Sequence, residues 1–175
     1  MSASLHHAFA LPDDPELDGF DSGDAEVDAY FRSRRWFNVA KGQAAPPTYV
    51  FRTDANGPVV GYAAVSFRNT EHPDDQSTTR ARYLMVYAVG VNRPFQGQAN
   101  PSAPSVTLAA SIFEVVETLA LAKPDCVGMS LWVRATNERA LRFYRRLGFV
   151  ADPGGPTQRD SGSPHLTMRK PLPPR

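Results

Sequence analysis

The chain has 175 residues, of which 42% are hydrophobic, and 19 basic against 18 acidic side chains give a formal net charge of +1 at pH 7. This length suits one ordinary hydrophobic core, and the balanced charge excludes a global field that would draw the protein onto nucleic acid or membranes. A single cysteine, Cys126, excludes an internal disulfide, and neither a basic leader nor a run of roughly 20 apolar residues occurs. We therefore expect a cytoplasmic protein with no membrane partner.

The first part of the chain predicts short helices followed by a hairpin. Residues 12–28 are acidic and contain several prolines and glycines, and apolar residues at mixed helical spacing then predict one or two short helices between Asp24 and Lys41. Two runs rich in β-branched and aromatic residues, TYVFRT and VVGYAAVSFR, are separated by turn-forming residues 54–58. This pattern predicts a β-hairpin.

The middle of the chain predicts a strand, a helix and a second strand in succession. Residues 70–80 are polar and predict a loop before RYLMVYAVGV, whose continuous apolar character indicates a central buried strand. Apolar positions between Val106 and Leu121 repeat every three or four residues and predict an amphipathic helix, and GMSLWVRA predicts the strand behind it. This succession favours parallel pairing of the two strands.

The last part predicts a second helix and the strands that close the sheet. The helix runs from about Asn137 to Leu147, with Thr136 or Asn137 as its cap and Gly148 as its left-handed stop. A further strand starts at Phe149, and HLTMRK forms the closing strand after a turn rich in proline, glycine and serine.

The segment NERALRFYRRLGF, residues 137–149, carries the most specific motif. It matches almost position for position the pattern of Asn, a small residue, Phe-Tyr and Gly-Phe of the GNAT superfamily of acyl-CoA-dependent N-acetyltransferases, and the order of elements over roughly residues 20–172 is similar too. The resemblance implies an α/β fold of the α+β type, with a mixed, mostly antiparallel sheet, flanking helices and a splayed parallel pair of strands at the cofactor site. Residues 1–172 would form this single domain and 173–175 a frayed tail. Acetyl-CoA would be the co-substrate.

The loop after the central strand resembles the family's pyrophosphate-binding loop less closely. The family pattern is Gln or Arg, two residues, Gly, one residue, then Gly or Ala; Gln96 fits it, whereas Ala99 and Pro101 stand in the glycine positions. A pyrophosphate is bound by main-chain N–H groups at the start of a helix, so the donors do not depend on glycine itself. If Asn100 caps a first helical turn, Pro101 takes the helix position that tolerates proline best. Three interpretations of this loop stay open: a phosphate cradle, meaning a loop whose amides bind the pyrophosphate, that is altered but working; a cradle that is weakened; and a plain connector.

The resemblance also implies particular site residues. Main-chain groups of Val89, Gly90 and Val91 would bind the pantetheine amides. Asn137 resembles a CoA-facing asparagine, and an ordinary helix cap is equally compatible with it. Tyr144 resembles the tyrosine that protonates the departing thiolate, which suits a phenol with an unperturbed pKa of about 10, and packing at the sheet edge is the alternative. The remaining cofactor-binding residues belong to the loop: Gln96, Gly97, Gln98, Ala99, Asn100 and Ser102.

The sequence shows no evident general base beside the central strand. No carboxylate or histidine lies between Tyr83 and Arg93, and the four histidines show no metal-ligand spacing, so we expect no metal. Direct transfer needs an uncharged amine, and α-amino groups, with pKa values of about 7.7 to 8.0, meet this condition better than lysine at about 10.4. We therefore favour an α-amine on a small molecule or peptide. Weaker candidates for a base lie in the polar loop: Glu71, His72, Asp74 and Asp75.

A second, looser resemblance concerns the N-terminal half. FDSGDAEVDAYFRSRRWF and TYVFRTDANGPVVGYAAVSF are similar to toxin-type GNATs, which acetylate the amino group of aminoacyl-tRNA. The basic residues Arg32, Arg34, Arg35 and Lys41 would then contact phosphates, although a solvated helix face explains them as well. Three functions thus stay open: a general N-acetyltransferase, a toxin-like enzyme acting on aminoacyl-tRNA, and a non-catalytic module with weakened CoA binding. A homodimer is compatible with each.

Overall fold

The computed structural model describes residues 4–71, 80–158 and 162–174. In chain order, the strands within these ranges are β1 His6–Phe9, β2 Phe37–Asn38, β3 Gln43–Ala44, β4 Thr48–Arg52, β5 Val59–Glu71, β6 Arg80–Val91, β7 Ala99–Asn100, β8 Ala103–Thr107, β9 Cys126–Arg134, β10 Val150–Ala151, β11 Thr157–Gln158 and β12 Pro164–Pro171. The helices are α1 Ala25–Arg32, α2 Leu108–Leu121 and α3 Glu138–Arg146. Within the described ranges, none of the helices combines the length and apolar content needed to cross a membrane.

One large sheet contains most of the strands. Its order is β1-β4-β5-β6-β9-β12-β10, with β11 paired to β12, and two small sheets consist of β2-β3 and β7-β8. β6 and β9 run parallel, whereas β1 with β4, β4 with β5, and β9 with β12 run antiparallel. This mixed sheet with helices confirms the predicted fold class.

The predicted order of elements is confirmed, and several short strands are additional, among them β2, β3 and β11. Two further additions lie near the start of the chain and before α2. The hairpin of β4 and β5, the succession β6, α2 and β9, and the closing strand β12 all lie where the sequence predicts them. The first additional element is β1, which contains His6 and His7 and pairs with β4. The second is the hairpin of β7 and β8, which precedes α2, so α2 begins at Leu108.

The chain divides into two compact units, of which the first consists of Met1–Ser66 and Tyr87–Val116. Asp24 starts α1, because its side chain accepts hydrogen bonds from the amides of Glu26 and Val27, and α1 then buries Phe31. The core of this unit contains an aromatic cluster whose ring centres lie 5.1 to 5.5 Å apart. The buried residues of the whole core are Ala10, Leu17, Phe20, Phe31, Trp36, Val50, Val59, Tyr62 and Ala64.

The second unit consists of Phe67–Val86 and Glu117–Arg175. Arg169 on β12 organises one part of it: Nε donates to both carboxylate oxygens of Asp152 at 3.1 Å, Nη1 donates to Thr70 Oγ1 at 2.8 Å, and the guanidinium carbon lies 4.7 Å from the ring centre of Tyr83. One long side chain in the sheet thus holds three separate stretches of this unit together.

Candidate cofactor site

The parallel pairing of β6 with β9 ends before β6 does. The paired residues run from Arg82 with Cys126 to Val86 with Leu131, and β6 continues to Val91. The segment beyond the last pair contains the three residues predicted to bind pantetheine. Main-chain groups beyond the end of a ladder can bind an extended ligand in the way that a peptide adds to a sheet edge.

Gly90 is held in this segment by core packing of the first unit. A Cβ at Gly90 would lie 2.8 Å from Phe20 Cζ and 2.8 Å from Val27 Cγ1, so a larger residue would displace both side chains. A Cβ at Gly61, on β5, would in turn collide with the Gly90 carbonyl oxygen. Glycine is therefore needed at both positions for close approach.

The first residues of the loop are bound to the segment that precedes α1. The Arg93 amide donates to the Asp21 carbonyl at 2.8 Å, and Arg93 Nε lies 2.8 Å from Asp21 Oδ2. Asn92 Oδ1 accepts from the Asp21 amide at 3.0 Å. The hydrogen bond from Arg93 lowers the pKa of the Asp21 carboxyl below its ordinary value.

Gln96 continues this connection. Its side-chain Nε2 donates to the carbonyl oxygens of Ser22, at 2.6 Å, and Val91, at 2.9 Å. The amide and hydroxyl of Ser22 each donate to Asp28 Oδ1 at 2.7 Å, and Asp28 is only 7% exposed. The motif identified Gln96 from the sequence, and the structure shows its side chain bound to the chain's own backbone.

The hairpin of β7 and β8 changes how the phosphate cradle is built. Asn100 lies in β7 and Pro101 in the hairpin turn, so the arrangement considered for the loop, in which Asn100 caps a first helical turn, does not occur. The cap of α2 is Thr107, whose Oγ1 accepts from the Ala110 amide at 3.2 Å, and the Leu108 amide donates to the Gln98 carbonyl at 2.9 Å. The hairpin itself therefore satisfies donors in the first turn of α2.

Several of the predicted loop donors are also engaged within the loop. The Gln96 amide donates to the Arg93 carbonyl at 3.2 Å, and the Gln98 amide to the Phe95 carbonyl at 3.3 Å. The Ser102 amide donates to Asn100 Oδ1 at 3.0 Å. Ala99 belongs to the β7 ladder, and Gly97 has a left-handed φ of 73° that favours glycine. An anion that binds here competes with these bonds or uses other donors.

Asn100 anchors the hairpin to α2. It is 2% exposed, and its Nδ2 donates to Ser111 Oγ at 2.9 Å. Its side chain thus contributes to the position of the loop through the hairpin. Sequence reasoning assigned its main chain to the cofactor and missed the side chain, because its partner lies in the first turn of α2, beyond β8 in the sequence.

The motif of α3 supplies the other candidate residues, within the second unit. Asn137 caps α3, because its Oδ1 accepts from the Ala140 amide at 3.1 Å, which settles the cap in favour of Asn137 over Thr136. This bond uses the oxygen only, so the cap does not exclude a contact from the side-chain nitrogen. Tyr144 is half-buried, with ring centres of Phe143 at 5.5 Å and Phe149 at 5.9 Å.

Two members of the N-terminal basic cluster form hydrogen bonds within the first unit. Arg34 donates to the Pro12 carbonyl at 3.0 Å and pairs with Asp18 at 2.7 Å, and Arg32 Nε donates to the Phe20 carbonyl at 2.7 Å. The other two, Arg35 and Lys41, are exposed. Neutralising Arg34 would therefore perturb the fold as well as any phosphate contact.

Other predicted candidates are only partly covered by the structure. Glu71 ends β5, whereas His72, Asp74 and Asp75 lie outside the described residues. Among residues 4–71, 80–158 and 162–174, no group of three or more His, Cys, Asp or Glu side chains is placed to hold a metal ion.

Comparison with known families identifies the class of protein. Residues 13–149 match the model of the acetyltransferase (GNAT) family, so the chain belongs to this family. The match spans β6, the loop, α2 and the α3 motif, and it confirms the resemblance found in the sequence. No curated protein sequence matches the chain significantly.

Solved structures share the fold at low sequence identity. The KacTA–DNA complex contains a chain that is 18% identical with a TM-score of 0.62, over 96% of this chain and 93% of that one. A tyrosine-to-phenylalanine mutant of the AtaT toxin, bound to the C-terminus of the antitoxin AtaR and acetyl-CoA, is 19% identical with a TM-score of 0.59, over 96% and 93%. The NatB acetyltransferase complex bound to CoA and MES is 20% identical with a TM-score of 0.54, over 72% and 73%.

Proposed function

We propose that this protein transfers an acetyl group from acetyl-CoA to a primary amine by direct attack. The family match over residues 13–149 carries this proposal, because it includes both the β6 and loop segment and the α3 motif. Acetyl-CoA supplies an activated thioester carbonyl; the neutral amine attacks it, the C–N bond forms, and the C–S bond breaks. The amine loses a proton and the departing sulfur gains one. We place the reaction in the cytoplasm.

Two parts of the chain would bind two parts of acetyl-CoA. Main-chain groups of Val89, Gly90 and Val91 would bind the pantetheine amides beyond the end of the parallel ladder. The loop would bind the pyrophosphate with the amides that its internal hydrogen bonds leave open. The engaged amides of Gln96 and Gln98 support a cradle that binds less strongly than one rich in glycine.

A ligand series separates a working cradle from a lost one. Ligand at a hundred times its dissociation constant adds about 2.7 kcal/mol of apparent stability, so millimolar acetyl-CoA should raise the melting temperature. Pantetheine lacks the pyrophosphate together with the 3′-phosphoadenosine, and therefore reports the contribution of the strand without that of the nucleotide. We expect CoA to bind at least about tenfold more tightly, which corresponds to about 1.4 kcal/mol. Equal affinities would show a lost cradle, and no response to either ligand would favour the non-catalytic module.

Tyr144 is the residue we propose to protonate the departing sulfur. Tyr144→Phe keeps the ring that packs near Phe143 and Phe149 and removes only the proton donor. Because general acid catalysis contributes about 10² to 10⁴-fold, we expect turnover to fall by that order while acetyl-CoA affinity and the melting temperature stay close to wild type. Tyr49→Phe, which removes a hydroxyl from β4, is the matched control. Wild-type turnover in Tyr144→Phe would show that the Tyr144 hydroxyl is not the proton donor and that the ring only packs.

The acceptor we favour is an α-amine. The segment from Tyr83 to Arg93 contains no carboxylate or histidine, so the substrate has to supply a partly neutral amine itself. A panel of small α-amines, peptides with free or blocked N-termini, and lysine side chains tests this choice at pH 7 with labelled acetyl-CoA. Acetylation confined to lysine side chains would contradict it.

A second candidate is the amino group of aminoacyl-tRNA. The toxin structures that share the fold cover 96% of this chain, including α1 and the hairpin of β4 and β5, where the sequence resembles toxin-type members. Charged tRNA, uncharged tRNA and the free amino acid, offered at equal concentration, distinguish this acceptor from a small α-amine. Preference for the free amino acid would exclude aminoacyl-tRNA as the acceptor and leave the proposal of a small α-amine intact.

A further inference from the structure

The exposed side of α3 is densely basic. Arg139, Arg142 and Arg146 follow the spacing i, i+3 and i+7, which places them on one helical face, and Arg145 extends that face by one position. All four side chains are exposed, and we call them the arginine face. Glu138, the single acidic residue of α3, lies on the same face, four residues before Arg142 and seven before Arg145.

Apolar side chains anchor α3. Leu141 is 2% exposed, and Ala140, Phe143 and Tyr144 are half-buried. Phe143, four residues after Arg139, lies at the border of the arginine face. Favourable interaction with the helix dipole accounts for basic residues in the last turn. Arg139 lies in the first turn, at the positive end of the dipole, where that interaction is unfavourable.

The arginine face belongs to a unit with a strong charge excess. Phe67–Val86 and Glu117–Arg175 contain 13 basic and 8 acidic residues, a net charge of +5. The other unit contains 6 basic and 10 acidic residues, a net charge of −4. The net charge of +1 thus conceals a separation of charge along the chain, and α3 carries much of the positive part.

We propose that the arginine face binds the phosphate backbone of RNA. Guanidinium groups match phosphate oxygens in pairs, and Arg139 to Arg146 span about 10 Å of the helix axis, enough to meet several phosphates. The face contains no apolar residue, whereas the core of a protein interface is depleted of charge and rich in aromatic anchors, so a polyanion fits better than a protein partner. The choice of RNA over DNA rests on the proposed function, since tRNA carries the candidate α-amine.

The test compares two variants that each lose two positive charges. Arg142→Gln with Arg146→Gln alters the arginine face, and Arg80→Gln with Lys123→Gln alters exposed basic residues of the same unit outside α3. Binding of uncharged tRNA is measured against salt concentration without acetyl-CoA. Because each phosphate contact contributes about 0.7 to 0.9 to the salt slope, the first variant should lower the slope by about 1.4 to 1.8 and weaken binding on the order of 10 to 100-fold at 0.1 M salt. The second should leave both values unchanged.

Three outcomes would overturn the proposal. The first is wild-type tRNA affinity in the variant that lacks Arg142 and Arg146. The second is binding of poly-glutamate that the same variant weakens as much as it weakens the binding of tRNA. The third is a matching loss of acetyl-CoA affinity, which would assign the face to the phosphates of the cofactor. Acetylation of a small α-amine by the same variant should match wild type. Since tRNA binding is measured without acetyl transfer, an inactive wild-type enzyme would refute the proposed function and leave this result standing.

Discussion

The side-chain amide of Gln96 joins two distant stretches of chain. Its nitrogen donates to the carbonyl oxygens of Ser22, at 2.6 Å, and Val91, at 2.9 Å. The Ser22 amide in turn donates to the buried carboxylate of Asp28. A hydrogen bond contributes about 0.5 to 1.5 kcal/mol net, and a buried group left without its partner costs more. Gln96 is therefore a positioning residue for the loop.

We expect Gln96→Ala to lower the free energy of unfolding by about 1 to 3 kcal/mol, measured by urea denaturation, because two carbonyl groups lose their donor. Gln96→Glu keeps the shape, but its carboxylate cannot donate and faces two carbonyl oxygens, so it should cost at least as much. Gln43→Glu, at an exposed position of β3, is the control. A Gln96→Glu protein of wild-type stability but weak CoA binding would instead assign the side chain to the phosphates.

Two tyrosine hydroxyls are buried in the first unit. Within the described residues, the hydroxyls of Tyr30 and Tyr62 are buried without a hydrogen-bond partner. Burial, with a smaller contribution from the charge of Tyr87, raises the pKa of Tyr30 to about 12. Burial also raises the pKa of Tyr62. Both groups therefore keep their protons in the folded protein at a pH where an unfolded tyrosine, with a pKa of about 10, has lost its own.

This difference predicts a loss of stability at high pH. Between about pH 10 and 12 the native state binds more protons than the unfolded state, so the free energy of unfolding falls as the pH rises. Tyr30→Phe should make this decline shallower, and at neutral pH it should be neutral or stabilising, because the lost hydroxyl makes no hydrogen bond. Urea denaturation from pH 8 to 11.5 measures both effects. An unchanged pH dependence in the variant would contradict the assignment.

At the scale of elements, the hairpin of β7 and β8 makes a buried side-chain contact with α2. Asn100 Nδ2 donates to Ser111 Oγ at 2.9 Å, and both residues are almost fully buried. Breaking one side of such a pair leaves a polar group without its partner, whereas removing both sides avoids that cost. The hairpin and the first turns of α2 should therefore be coupled in stability.

A double-mutant cycle measures that coupling. Asn100→Ala and Ser111→Ala should each lower the free energy of unfolding by about 1 to 3 kcal/mol, and the double variant should lose less than the sum by about 0.5 to 3 kcal/mol. Ser105→Ala, at an exposed position of β8, should change little. Strict additivity of the two buried changes would show that the contact couples nothing.

The elements also show which features the sequence predicts and which it does not. β4 and β5 are rich in β-branched and aromatic residues and flank a turn, β6 is continuously apolar, and α3 carries the family motif, so these elements could be predicted. β1 is four residues long and exposed along its whole length, so it has no burial pattern to reveal it. β8 contains a proline and exposed polar residues and reads as a loop.

The contacts of the candidate site were beyond sequence reasoning for a different reason. The motif identified Gln96, but its bond to Ser22 joins residues 74 positions apart, and no local pattern encodes such a pair. Asn137 was ambiguous as a cap or a cofactor contact because one residue type serves both purposes, and only the Ala140 bond establishes the cap.

At the scale of the whole molecule, the balanced composition is misleading about local charge. A net charge of +1 excludes a global field, yet the two units carry net charges of −4 and +5. A sum over the chain cannot show this separation, because it depends on which segments fold together. RNA binding, if it follows the arginine face, should therefore depend on salt far more steeply than the net charge suggests.

The ties between the start of the loop and the segment before α1 also matter while the protein is being made. The Asp21 amide and its acceptor on Asn92 are 71 residues apart in sequence. At about 5 to 20 residues per second, a ribosome needs about 4 to 14 seconds to synthesise that interval. Phe20 and Phe31 emerge early, whereas the end of β6 that packs on Phe20 emerges later. The aromatic core of the nascent chain thus stays incomplete until β6 has been synthesised, and chaperones that bind exposed aromatic side chains have that interval in which to act.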